Sequence, residues 1–142
     1  MNTFIKKIAQ NQALYVVEHK EGVGMAQSLL FQDEEGLPVG IVCFWSEVED
    51  AQKCCVEDWK TYRPQQICLA TFIEDYLIPI YNESLIVGLN FDEKMQGIEA
   101  DPLNVLELLL IELKTQNSSL ELEYFKNTAD LERQLQDLFS KE

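Results

Sequence analysis

Apolar residues recur at helical spacing at the start of the chain. Phe4, Ile5, Ile8 and Ala9 form one stripe over residues 2–10 and predict a short helix. Leu14 to Val17 is rich in strand formers. Met25 to Phe31 predicts a second strand, and Pro38 to Phe44 the strand that returns to it. Between them, Asp33-Glu34-Glu35-Gly36 is a turn signal. These strands together predict an antiparallel meander.

Ser46 stands where an N-cap would open the next helix, with Glu47 and Glu49 in the first turn. At helical spacing, Val48, Ala51, Cys55 and Trp59 would face the core, and Glu47, Asp50, Glu57 and Asp58 would face water. Pro64 ends that region, and Gln66 to Leu69 predicts a short strand. Thr71 and Glu74 have capping-box spacing. The helix they would start carries Phe72, Ile73, Tyr76, Leu77 and Ile80 on one face, and Pro79 should kink or end it. Leu85 to Phe91 is the most apolar strand. Asp101 followed by Pro102 predicts a capped helix start. That helix runs to about Thr115, with Leu103, Leu106, Leu110 and Leu113 on one face and Leu109 beside it. Residues 116–119 are a polar break. Leu120, Leu122 and Tyr124 alternate with Glu121 and Glu123, which predicts a strand, with a helix as the alternative. A last helix, Thr128 to Phe139, would dock through Leu131, Leu135, Leu138 and Phe139.

The layout carries a family resemblance over Phe4 to Leu113. The turn at Gly36, Trp45 before the first long helix pattern, and the run Trp59, Tyr62, Pro64, Ile67 are its first marks. Phe72 begins a helix in which Tyr76 and Pro79 stand where the family has a tryptophan and a proline at a different interval. Val87-Gly88-Leu89-Asn90, Gly97, Glu99 and Pro102 complete the pattern. The chain resembles the bacterial family called domain of unknown function 2750. It departs from the pattern at Cys43-Phe44, where the family has a proline before the tryptophan. The resemblance implies a small α+β fold and supplies no catalytic residue.

The chain has 142 residues, 46% of them apolar, enough for one domain with one core. Charge changes the picture more. The 25 acidic residues outnumber the 11 basic ones, for a net charge of −14. The first 20 residues are net basic, and most of the negative charge lies between residues 21 and 115. Such a surface repels phosphate backbones and anionic lipids, so the partners expected are neither nucleic acid nor membrane. It attracts basic proteins, and it also serves solubility. With no signal-peptide pattern and no run near the roughly 20 apolar residues of a spanning helix, the expected location is the cytoplasm. Cys43, Cys54, Cys55 and Cys68 are then expected to be free thiols.

Candidate chemistry is sparse. His19 is the single histidine, and its place at a strand end before Lys20 and Glu21 is that of a surface residue. No metal site and no cofactor are expected, because no cysteine or histidine has ligand spacing. Gly22-Val23-Gly24 lacks the third glycine of a dinucleotide loop. Cys54 among Asp50, Glu57 and Asp58 would be a poor nucleophile, since carboxylates raise a thiol's pKa. Asp92 and Glu93 follow a buried strand, where binding groups often sit, but equally read as solvated turn residues. Trp45, Trp59 and Tyr62 surround one predicted helix; they would clamp it to the sheet or form an aromatic binding patch.

These readings predict a single-domain α+β protein, with an antiparallel or mixed sheet and helices packed against it. Residues 1–115 form the domain and 116–142 a C-terminal helical extension. The expected function is non-enzymatic: an acidic protein-binding module, in its concrete form an immunity protein neutralising a basic toxin. Glu47, Asp50, Glu57 and Asp58 are the expected contact residues. The alternative is a small-ligand-binding or housekeeping domain, homodimeric through the extension.

Overall fold

The run from Val39 to Trp45 has almost no polar side chain, the mark of a strand buried on both faces. In the computed structural model this strand is the centre of the fold. The structure describes residues 1–20 and 22–140, with the backbone alone at 29, 139 and 140.

The elements follow in order. Helix α1 (Asn2–Asn11) leads into β1 (Ala13–His19), β2 (Gly22–Val23), β3 (Met25–Gln32) and β4 (Pro38–Phe44). Next come α2 (Val48–Lys53), a single 3-10 turn (Glu57–Trp59) and β5 (Arg63–Cys68). Helix α3 (Leu69–Thr71) runs without a break through a π-helical segment (Phe72–Leu77) into α4 (Ile78–Asn82). Strands β6 (Ile86–Leu89) and β7 (Ile98–Ala100) and helices α5 (Pro102–Thr115) and α6 (Thr128–Ser140) complete the chain.

One sheet has the order β3-β4-β6-β7 and is mixed: β4 and β6 are parallel, the other pairs antiparallel. The second sheet, β2-β1-β5, is antiparallel. A bridge between Tyr15 and Trp45 joins them, each backbone N–H donating to the other's carbonyl at 2.9 Å. Side chains alternate along β4. Val42 and Phe44 enter a large core with α1, the 69–82 helix, α5 and α6. Ile41, Cys43 and Trp45 enter a smaller core with Ala51, Cys54, Trp59 and Phe91. In the large core Phe44 meets Phe72 edge-on, with ring centroids 4.8 Å apart.

The meander expected of the first strands is broken: β1 pairs with β2 and β5, and β3 with β4. The diversion occurs at Gly24. A Cβ there would lie 2.6 Å from Val17 Cγ2 and 3.0 Å from the Trp59 ring, so only glycine lets the chain turn under that indole. Pro64 lies within β5 rather than ending a region; an edge strand tolerates its missing N–H.

Two expected caps have other partners. Ser46 is buried and bonded to Asn90, whose Oδ1 accepts the Ser46 backbone N–H at 2.9 Å; Glu47 holds the cap position of α2 without a side-chain capping bond. Thr71 lies inside its helix, which begins at Leu69. Glu74 instead reaches the C-terminal extension, its two oxygens accepting the backbone N–H groups of Glu123 and Tyr124 at 2.8 and 2.6 Å. By contrast, the Asp101 cap is as expected, with Oδ1 accepting from the Leu103 N–H at 2.8 Å. The π-helical segment ends two residues before Pro79; a widened turn relieves the clash of the proline ring with the preceding turn.

Residues 118–127 form no strand. The alternation there serves packing instead: Leu120, Leu122 and Phe125 lie against the large core, while Tyr124 is exposed. Leu131 and Leu135 of α6 are buried in the same core and Leu138 is packed against it; Phe139's side chain is outside the described residues. The domain itself thus covers the apolar stripe of α6.

Leu131→Ala or Leu135→Ala should lower unfolding stability by about 2–5 kcal/mol, the usual cost of a buried leucine. Glu74→Ala should cost less, about 1 kcal/mol, because its bonds are solvent-exposed. Its distinguishing effect should be faster hydrogen exchange at the Glu123 and Tyr124 amides. Unchanged exchange at those amides would show that the carboxylate does not hold the extension.

Candidate functional site

The smaller core is built around a buried indole. Trp45 is fully buried, so its N–H needs an internal acceptor. The Phe91 carbonyl accepts it at 2.9 Å, and the Cys54 thiol approaches the same oxygen at 3.2 Å. Trp59 meets Trp45 edge-on at 5.9 Å, and Tyr62 lies against Trp59 at 6.3 Å. The expected aromatic patch is therefore mainly interior: Trp59 is only 5% exposed and Tyr62 half-buried. His19 stacks on Tyr62 at 5.4 Å, at the exposed end of β1.

The two adjacent cysteines reverse their expected positions. α2 ends at Lys53, so the helical period stops before them. Cys54 then turns inward and Cys55 stays half-buried. Val48, also expected in the core, is the first residue of α2 and is exposed, while Ala51 is buried. Burial pushes the Cys54 thiol up to about 11 and the Cys43 thiol up to about 12, so both stay protonated at neutral pH. Cys68, the exposed one, is shifted down by a hydrogen bond with Thr71, 3.3 Å away. All four are free thiols.

Beside this core lies an open cleft of about 770 Å³. One wall is β3, through Met25, Ala26 and Gln27, with Pro38 and Gly40 of β4 next to it. The facing wall is the segment from Val56 to Trp59, with Cys54 beneath. The loop from Glu93 to Met95 closes the end. The apolar lining of the cleft includes Met25, Val56, Trp59 and Met95. Among the described residues its charged lining is Glu57, Asp58 and Glu93 against Lys94.

Asp92 shapes the end loop. Its Oδ1 accepts the N–H groups of Lys94 at 2.8 Å and Gln96 at 3.1 Å. Asp33 builds the β3–β4 turn in the same way, with the N–H groups of Glu35 and Leu37. The fourth residue of each loop has a left-handed backbone: Gly36 at φ 81° and Met95 at φ 62°. Met95 takes that unfavourable conformation while its side chain packs against the smaller core. Glu57, on the facing wall, is also left-handed, at φ 53°.

The four acids expected to act together are divided. Glu57 and Asp58 are exposed and line the cleft. Glu47 forms an ion pair with Lys7, and Asp50 is half-buried on α2; neither lines the cleft. Glu93 joins the first pair, although nothing in its local sequence set it apart from Asp92. Among the described residues, no three His, Cys, Asp or Glu side chains converge as metal ligands would. No described helix is long and apolar enough to cross a membrane.

The thiol shifts carry a pH signature. Unfolded thiols ionise near 9.0, the folded ones near 11 and 12. Their contribution to stability is complete below pH 9 and is lost as pH rises toward 12. Denaturant midpoints at pH 8 and pH 10 should show the loss, and Cys43→Ala or Cys54→Ala should reduce it. An aromatic disulfide reagent should react first with Cys68, and with Cys43 and Cys54 only on unfolding.

No curated protein and no solved structure matches the chain. A family model does match, over residues 1–109, which spans every strand and most of α5. The protein therefore belongs to the family of proteins of unknown function designated DUF2750.

Proposed function

We propose that the protein is a non-enzymatic binding module for a basic protein surface, with the cleft beside Trp59 as its contact site. The observation that carries this reading is that, among the described residues, the lining pairs apolar side chains with three carboxylates and one ammonium. Such a site suits a cationic group on an apolar stem, which packs along the apolar lining and carries its charge to the rim. The rest of the surface favours the same partner, because a net charge of −14 draws cationic proteins by long-range attraction. The two cysteines of the smaller core, with thiols raised by burial, offer no thiolate for nucleophilic chemistry at neutral pH. In its concrete form the module is an immunity protein that neutralises a basic toxin domain in the cytoplasm. The volume supports a second reading: about 770 Å³ lies within the range of small-ligand pockets, so a small organic cation is the alternative occupant.

Charge reversal separates the rim from the rest of the acidic surface. Glu57→Lys with Asp58→Lys should slow association with a basic partner captured from the native cell. Glu47→Lys with Asp50→Lys should slow it less. Association of the wild-type protein should also slow as salt rises, since screening shortens from about 10 Å at 0.1 M to about 3 Å at 1 M. The measurement is the association rate by surface binding, with circular dichroism to confirm that each variant folds. Equal effects from the two sets would assign the attraction to overall charge, and a rate indifferent to salt and to both sets would defeat the reading.

A further inference from the structure

β3 is an end strand of its sheet. It pairs with β4 through one side, Met25 opposite Val42 and Ala26 opposite Ile41, and among the described residues no strand pairs with its other side. Three consecutive residues of this strand, Met25, Ala26 and Gln27, line the cleft. Side chains alternate between the faces of a strand, so a cleft lined by three in a row, and by Pro38 and Gly40 of the paired β4, spans the β3 backbone from the sheet toward its open edge. Alternate N–H and C=O groups of that edge point away from β4.

We infer that the occupant of the cleft is an extended cationic segment of the partner, added to β3 as a further strand. This rests on the reading of the cleft as a site for a basic protein and names the form in which that protein binds. An added strand would bond its backbone to the Met25–Gln27 edge. The stems of its cleft-side lysine or arginine side chains would lie on Val56 and Trp59, and their charged ends would reach Glu57, Asp58 and Glu93. Charge decides between this occupant and a second copy of the chain. Two copies would bring together two edges of a protein with net charge −14, and the same carboxylates at both rims. A cationic strand meets the opposite sign at the same place.

The test uses the full-length protein and a peptide of about six residues, the usual strand length, alternating lysine and valine. Two N-methylated forms carry the methyl groups at alternate residues, one form at the odd and the other at the even positions. Only alternate amides of an added strand face its neighbour, so one methylated form should bind about tenfold weaker than the parent and the other about as well. A peptide with glutamate for lysine should not bind. On binding, the alternate amides along Met25–Gln27 that face away from β4 should shift in the NMR spectrum and gain protection from exchange. Equal binding by both methylated forms and the parent would overturn the added strand while leaving the cleft as a cation-binding site. Failure of the lysine peptide to bind would overturn it too, and charge reversal against the protein partner would then judge the wider reading separately. A concentration-dependent dimer that protects the same amides would assign the edge to a second copy and likewise overturn it.

Discussion

The arrangement depends most on the need to satisfy one buried indole. Trp45 closes the alternation of β4, and its ring is fully enclosed. An unpartnered indole N–H in that position would cost roughly 1–3 kcal/mol. The Phe91 carbonyl meets the need, and with it the chain after β6 is drawn over the smaller core. Phe91 then covers Gly88, where a Cβ would lie 2.8 Å from the Phe91 ring. The backbone of Trp45 simultaneously bridges to Tyr15 and joins the two sheets. The same carbonyl of Phe91 receives Cys54, which positions the segment leading to Trp59. Both far walls of the cleft are therefore placed by contacts around a single residue.

Much of the fold was legible in the sequence because burial repeats along it. The stripe of α1, the leucines of α5 and the run through β4 each combine many side chains into one period, so no single exception disturbs them. The Asp101-Pro102 start was legible too, because proline leaves few conformations for the next turn. Short polar motifs were less secure. Ser46 and Glu74 have the right spacing for caps, but each carries one or two acceptors that any nearby amide can use. Asn90 and the 123–124 backbone supply stronger competitors, and both lie far off in sequence. Cys54 and Cys55 were misplaced because a helical period was continued past Lys53, where the helix itself stops.

The candidate site was half legible. Charge marked Glu57 and Asp58 as solvent-facing, but no local signal separated them from Glu47 and Asp50. That separation comes from tertiary structure: Lys7 of α1 pairs with Glu47, and the turn after α2 carries Glu57 and Asp58 to the cleft. Glu93 joins them through the return of the chain after β6, an approach from more than thirty residues away. Trp59 attracted notice as an aromatic, and its double role explains the ambiguity. Its ring belongs to the core by area, and it also contributes to the cleft lining.

An open strand edge beside apolar side chains is a hazard for any protein, since it can pair with another edge of the same kind. Here the hazard extends beyond the cleft. Leu30, Phe31 and Leu37 are exposed around the β3–β4 hairpin, and Leu30 is 74% accessible. Ser28 holds β3 near this tip, accepting the N–H groups of Leu30 and Phe31 and donating to Glu99. On the proposed reading the surrounding charge does more than serve solubility. Repulsion between like-charged molecules raises the cost of every self-pairing and lowers that of pairing with a cation. On the proposed reading, the acidity that opposes self-pairing at this edge would also favour a basic strand there.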